Sequence, residues 1–189
     1  VWMKSEVISE WRKVYQPVAT IKGSKEPEYF VLVGGHYDAY GSGSTDNATG
    51  NALLLELARV LHKHRDQMKR SVKLAWWTGH ETAKQAGSTW YLDNHWNDVN
   101  RHCIAYYNCD SPGMKGSVTY TSYNFAEIRS FQDKNVKDVL GEEAISARLS
   151  KWADQSLWGV GVTSIWEMTL SPEEMAKEYG HFGWWYHSV

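Results

Sequence analysis

Apolar and polar positions switch between two periods along this chain, and the switches predict its elements. Phe30 to Asp38 is a short apolar run ending in glycines and polar groups, the pattern of a buried strand with a polar exit. Ala48 to His64 then carries apolar residues at helical spacing, with Ala48, Ala52, Leu55, Ala58, Val60 and Leu61 forming the expected stripe. Val72 to Thr78 predicts a second strand, Trp90 to Asn97 a helical segment or turn, and His102 to Asp110 a third strand. Beyond a Ser-Pro-Gly turn, Ser117 to Thr121 predicts another strand. Phe125 to Leu140 predicts a helix with Ile128, Phe131, Val136, Val139 and Leu140 near one side. Gly161 to Trp166 reads as a late strand, and Ser171-Pro-Glu-Glu opens a short helix. No internal repeat or low-complexity linker interrupts the alternation, which predicts an α/β sandwich with a mostly parallel sheet.

Composition narrows the function classes. At 189 residues and 42% apolar, the chain is long enough for one domain with its own core. A net charge of −2 offers no basic footprint for nucleic acid. No apolar run approaches the roughly 18 residues of a membrane-spanning helix, and no signal-peptide pattern opens the sequence. The first residue is Val1, which is expected of a processed or trimmed product. An aromatic content of 14%, with 11 Trp, excludes disorder. Cys103 and Cys109 sit in one predicted strand, about 20 Å apart at strand rise, too far to pair with each other.

In parallel α/β sheets, ligands bind beyond the carboxyl ends of the strands. Those ends carry His36 and Asp38, then His80 and Glu81, then Asp110, all of them possible metal ligands. His36 and Asp38 stand two apart, so both side chains can point the same way. A ligating histidine gives its second ring N–H to a partner such as a carboxylate, and Asp38 is placed to be that group. Asp46 precedes the helix, where backbone amides favour a carboxylate. Taken alone, the same residues also fit a plain helix cap at Asp46 or Asn47 and a loop histidine at 36.

Four stretches then resemble, in order, the motifs of the co-catalytic zinc exopeptidases, the aminopeptidases related to glutamate carboxypeptidase II and the transferrin receptor. They are Val31-Leu-Val-Gly-Gly-His-Tyr-Asp with Thr45-Asp-Asn-Ala-Thr-Gly, Arg70 to Glu81 with Ala86-Gly-Ser-Thr-Trp-Tyr, Asn108-Cys-Asp-Ser-Pro-Gly, and Gly183-Trp-Trp-Tyr-His-Ser. The resemblance spans Val18 to Ser188. It implies a three-layer α/β/α sandwich with a mostly parallel mixed sheet and two zinc ions. It further implies that His36 and Asp110 bind one zinc, that His187 binds the second, that Asp46 bridges them, and that Asp38 stands behind His36. Such a pair activates water for attack on a terminal peptide bond.

The second motif departs from the family, whose members carry two consecutive glutamates, a base and a ligand. Here the run is Thr78-Gly-His-Glu-Thr82. Aligned on the preceding strand, His80 takes the base position and Glu81 the ligand position; aligned on Gly87-Ser88, Glu81 is the base and Thr82 the ligand. The reading adopted makes Glu81 a metal ligand and His80 the acid/base. His187 lies near the end of the chain, where relatives continue with an acidic segment, so the resemblance implies a single catalytic domain over 1–189 truncated at one or both ends.

Other candidates have plainer explanations. His62 and His64 suit a solvated helix end, Glu56 a solvated helix face, and His95, His102 and His181 lack a carboxylate at ligand spacing. Trp76, Trp77, Trp184 and Trp185 are expected to pack in the core, with a substrate-pocket wall as the sharper reading. The expectation is therefore a zinc aminopeptidase acting on peptides, exported to the periplasm or cell exterior as the family commonly is. A non-catalytic, receptor-like relative is the competing class, and a carbohydrate-binding module is a weaker third.

Overall fold

The computed structural model describes residues 1–152, 154–180, 182–183 and 186–187. Its elements run β1 (Val18–Ile21), β2 (Glu26–His36), α1 (Thr49–Lys63), β3 (Arg70–Trp77), α2 (His80–Ala83), α3 (Ala86–His102), β4 (Cys103–Cys109), β5 (Thr119–Asn124), α4 (Ala126–Leu140), β6 (Ile145–Arg148), β7 (Ser164–Leu170) and α5 (Glu173–Tyr179). Among these residues the strands form a seven-stranded sheet in the order β1-β3-β2-β4-β7-β5-β6. The central strands β3, β2, β4 and β7 are parallel, while β1 and β5 pair antiparallel to their neighbours. The mixed, mostly parallel sheet expected from the sequence is the one observed.

Alternation along β2 explains the layers. Leu32 faces a cluster with Trp77, Tyr106 and the α3 residues Tyr91, Leu92 and Val99. Val33 and Val31 face the opposite side, against Leu74 and the α1 residues Leu54, Leu57, Ala58 and Leu61. Each face of the sheet thus buries one helix stripe, which is why these parallel strands read as near-continuous apolar runs.

Several boundaries and faces differ from expectation. The inward stripe of α1 is Leu54, Leu57, Ala58 and Leu61; Leu55 and Val60, about 100° round the helix from their neighbours, are exposed. Helix α3 is longer than predicted because small Gly87 and Ser88 pack inward at its start, ahead of the apolar residues. On α4 only Val136 of the expected apolar side is buried, and Phe131, Val139 and Leu140 are exposed. The sheet beneath α4 is polar, so Arg129 donates to Asn124 at 3.0 Å and Gln132 donates to the buried carboxylate of Glu167. The short strands β1 and β6 escape sequence detection because each is four residues long at a sheet edge. Cys103 and Cys109 are both free.

Candidate metal centre

Strands β2, β3 and β4 end at one edge of the sheet, with His36 in register with Trp77 and Gly34 with Asn108. Asp110 follows β4 directly, and Gly79, at φ 70, turns the chain out of β3 so that α2 begins at His80. A side chain could not easily adopt that left-handed turn. Gly35 lets β2 and β4 approach closely; a Cβ there would lie 2.3 Å from the Cys109 carbonyl oxygen.

Asn47 ties the three exits together. Its Nδ2 donates to the carbonyls of His36 at 3.2 Å and Cys109 at 2.8 Å, while its Oδ1 accepts from the amides of Gly50 and Ser111 at 3.2 and 3.1 Å. This one buried side chain therefore fixes the β2 end, the β4 exit and the start of α1. Asp46, beside it, is carried on the turn Ser44–Ala48 that leads into α1.

The two oxygens of Asp46 face two sets of groups. Oδ1 lies 2.7 Å from His36 Nε2, which is itself 3.4 Å from Asp110 Oδ1. Oδ2 lies 2.8 Å from His187 Nε2, which is 3.6 Å from Glu81 Oε1. His36, Asp46 and Asp110 are buried. His36 Nε2, Asp46 Oδ1 and Glu81 Oε1 are buried yet out of line for any hydrogen bond among the described residues. Two overlapping groups, His36 with Asp46 and Glu81 and His36 with His80 and Asp110, have the spacing to hold a metal ion. Imidazole nitrogen with carboxylate oxygen is a donor set that suits zinc. The residues present fit a bound divalent cation such as zinc.

Charge tells the same story. Burial would push the His36 imidazole down, but Asp110 and Asp46 together lift it to about 11. Burial would raise Asp46, yet His36, Tyr186 and His187 hold it at about 2. Glu81 is raised by burial and by Asp46. In the metal-free protein a proton on His36 neutralises part of a crowded acidic cluster, the place where a divalent cation would serve better.

Asp38 departs from its expected arrangement. His36 Nδ1–H donates to the Asp38 backbone carbonyl at 2.8 Å, leaving Nε2 free to ligate, whereas the Asp38 carboxylate lies 3.9 Å away. That carboxylate accepts instead from the amides of His80 and Glu81 at 3.1 and 3.0 Å, pinning α2 beside the cluster. Thr82 is exposed. His80 stacks on His36.

Beyond the cluster opens a cavity of about 890 Å³, walled by Tyr40, Tyr123, Trp152, Trp166, Phe182 and Tyr186. That volume suits a small ligand or terminal residue. Trp77 is in the core and Trp76 packs against it from the other face, as expected; Trp184, Trp185 and His181 lie outside the described residues. His62 and His64 are exposed, Glu56 is exposed and paired with Arg59, and His95 is exposed against Tyr91. His102 corrects the expectation: Asp98, one helical turn earlier, lies 2.8 Å from its Nδ1, and Lys73 bridges the same carboxylate. The Asp154 carboxylate near His80 carries no signal in the sequence, Asn47 reads there only as a helix cap, and the six wall residues are not among the four tryptophans considered for a pocket wall. Tyr186 alone carried a signal, its place next to His187.

The family described as Peptidase family M28 matches residues 17–151. The probable glutamate carboxypeptidase VP8 of Zea mays is 33% identical over 101 residues, covering 52% of this chain and 14% of that protein. A zinc aminopeptidase from Bacillus subtilis superposes with a TM-score of 0.76 at 19% identity, over 92% of this chain and 43% of that one. An aminopeptidase from Aneurinibacillus sp. strain AM-1 gives 0.74 at 20% identity, over 92% and 41%. The chain thus spans less than half the length of these proteins.

Proposed function

We propose that this chain, which belongs to peptidase family M28, is a zinc-dependent exopeptidase, and specifically an aminopeptidase. The observation that carries the reading is the bridging posture of Asp46, with Oδ1 toward His36 and Asp110 and Oδ2 toward His187 and Glu81. His36, Asp46 and Asp110 would hold one zinc, and Asp46, Glu81 and His187 the other. Three protein ligands on each side, with a cavity beyond, suit catalytic rather than structural zinc. When bound, the metal would polarise the scissile carbonyl as a Lewis acid and lower the pKa of the attacking water so that a base can deprotonate it.

The chain's own residues do the rest. Asp38 holds the amides of His80 and Glu81, so that both side chains are presented beside His36. Glu81, with its Oε1 toward His187 while Thr82 is exposed, is better placed as ligand than as base. His80 lines the cavity, where its free nitrogen would take the proton from the attacking water and deliver it to the leaving amine. The aromatic wall would exclude water and seat an apolar side chain. The family resemblance also supports an exported location.

The names of the two bacterial structures favour an aminopeptidase, and the name of the maize relative favours a carboxypeptidase. Three peptides separate the readings on the zinc-loaded chain: free amine with amidated end, acetylated with free carboxylate, and blocked at both ends. Release of the first residue from the first peptide alone is expected. Cleavage of only the second would make the chain a carboxypeptidase, and cleavage of none would contradict exopeptidase activity.

A further inference from the structure

His80 lies face to face with His36, ring centroids 4.1 Å apart and planes 16° from parallel. An imidazole holds a metal through a lone pair in the plane of its ring. Two rings stacked almost parallel cannot both keep one ion in their planes, even though spacing alone would group His36, His80 and Asp110 around a site. His80 is therefore not a partner of His36 on one ion and is left for other work.

Its Nδ1 faces Asp154, 3.3 Å from Oδ2. Asp154 is fully buried, and it lies just past the stretch that matches the family, residues 17–151. Its Oδ1 accepts from Ser88 Oγ at 3.1 Å, which anchors the carboxylate to the start of α3. Its Oδ2 and His80 Nδ1 are both buried, and neither has another hydrogen-bond partner among the described residues. A buried carboxylate oxygen without a donor is costly. The His80 ring N–H, 3.3 Å away, is the donor within reach, and catalytic hydrogen bonds that are long or poorly aligned in the free protein commonly tighten when substrate binds.

We infer that Asp154 is a positioning residue for His80: it takes the Nδ1–H, so that the neutral ring presents its bare Nε2 to the cavity. The arrangement replaces a glutamate base by a histidine whose tautomer is held from behind. It follows the logic by which a buried carboxylate sets a catalytic imidazole. The inference rests on the proposed exopeptidase reading for what His80 does, but not for which nitrogen carries the proton.

Two measurements test it on the zinc-loaded chain. Nitrogen-detected NMR of the unmutated protein should show neutral His80 protonated at Nδ1; protonation at Nε2 would overturn the inference, whatever the activity. The second is a double-mutant cycle of Asp154→Asn and His80→Ala, read as kcat, KM and zinc content. Asp154→Asn should lower kcat about 100-fold or more with KM and zinc content little changed, and should cost almost nothing further when His80 is already alanine. An equal loss in both backgrounds, or a fall in zinc content, would make Asp154 structural or part of the metal site. If Asp154→Asn fails to fold, the NMR result on the unmutated chain decides alone.

Discussion

Replacing Asn47 by alanine should unfasten the site from the sheet. The side chain is 1% exposed and makes four hydrogen bonds, to the carbonyls of His36 and Cys109 and the amides of Gly50 and Ser111. The His36 carbonyl keeps a second donor, Asn51 Nδ2 at 3.1 Å. The Cys109 carbonyl and the two amides lose this partner. Each buried backbone group left unpaired costs about 1–3 kcal/mol, and a water filling the space recovers part of it, so a net loss of about 2–4 kcal/mol is expected. For a chain of this size that is a fall in Tm of roughly 5–15 °C. Asn47→Asp should be at least as damaging, because a carboxylate would face two carbonyl oxygens at 2.8 and 3.2 Å in a buried place. Urea unfolding of the metal-free chain, compared across the three proteins, measures this directly. A loss below about 0.5 kcal/mol for alanine, or an aspartate variant as stable as the parent, would refute the idea that Asn47 ties the strand exits together.

Asp46→Ala should abolish paired metal binding, since both sets of ligands meet at its carboxylate; elemental analysis showing full zinc occupancy in this variant would contradict the bridge. Zinc loading at pH 7 should release about one proton, because the His36 imidazole, raised to about 11, is charged in the metal-free protein and must be bare to ligate; titration calorimetry in buffers of different ionisation enthalpy counts it. The same raised group stabilises the metal-free fold fully below about pH 6.5, and that contribution is lost as pH rises through about 11. Gly35→Ala should destabilise the chain by about 1–3 kcal/mol, because its Cβ would lie 2.3 Å from the Cys109 carbonyl and force β2 from β4; an unchanged Tm would show that the strands can part without cost.

What the sequence made legible follows the physics of each feature. The buried strand Val31-Leu-Val-Gly-Gly-His and the polar residues after each central strand were readable because parallel strands are apolar throughout and change character at their ends. The same pattern places His36, Glu81 and Asp110 near one edge, Asp46 follows from its place before the helix, and the structure brings these four together with His187. Helix faces were less legible. The buried stripe of α1 includes Leu54 and Leu57 and leaves out Leu55 and Val60, and α4 covers a polar patch around Glu167, so its inward side carries Arg129 and Gln132 in place of apolar residues. The supporting groups were the least legible. Asn47 reads as a helix cap and Asp154 carries no signal, because their partners lie far away in sequence and only the folded chain brings them within reach. Asp38 showed the opposite error. Its spacing from His36 suggested a direct carboxylate contact, but the turn after β2 offers the backbone carbonyl and sends the carboxylate to α2.

The central claim is that Asp46 joins two metal sites, and the zinc stoichiometry of the chain tests it most directly. After loading and exhaustive dialysis, elemental analysis should find about two zinc ions per chain. A chain that retains none would contradict the account.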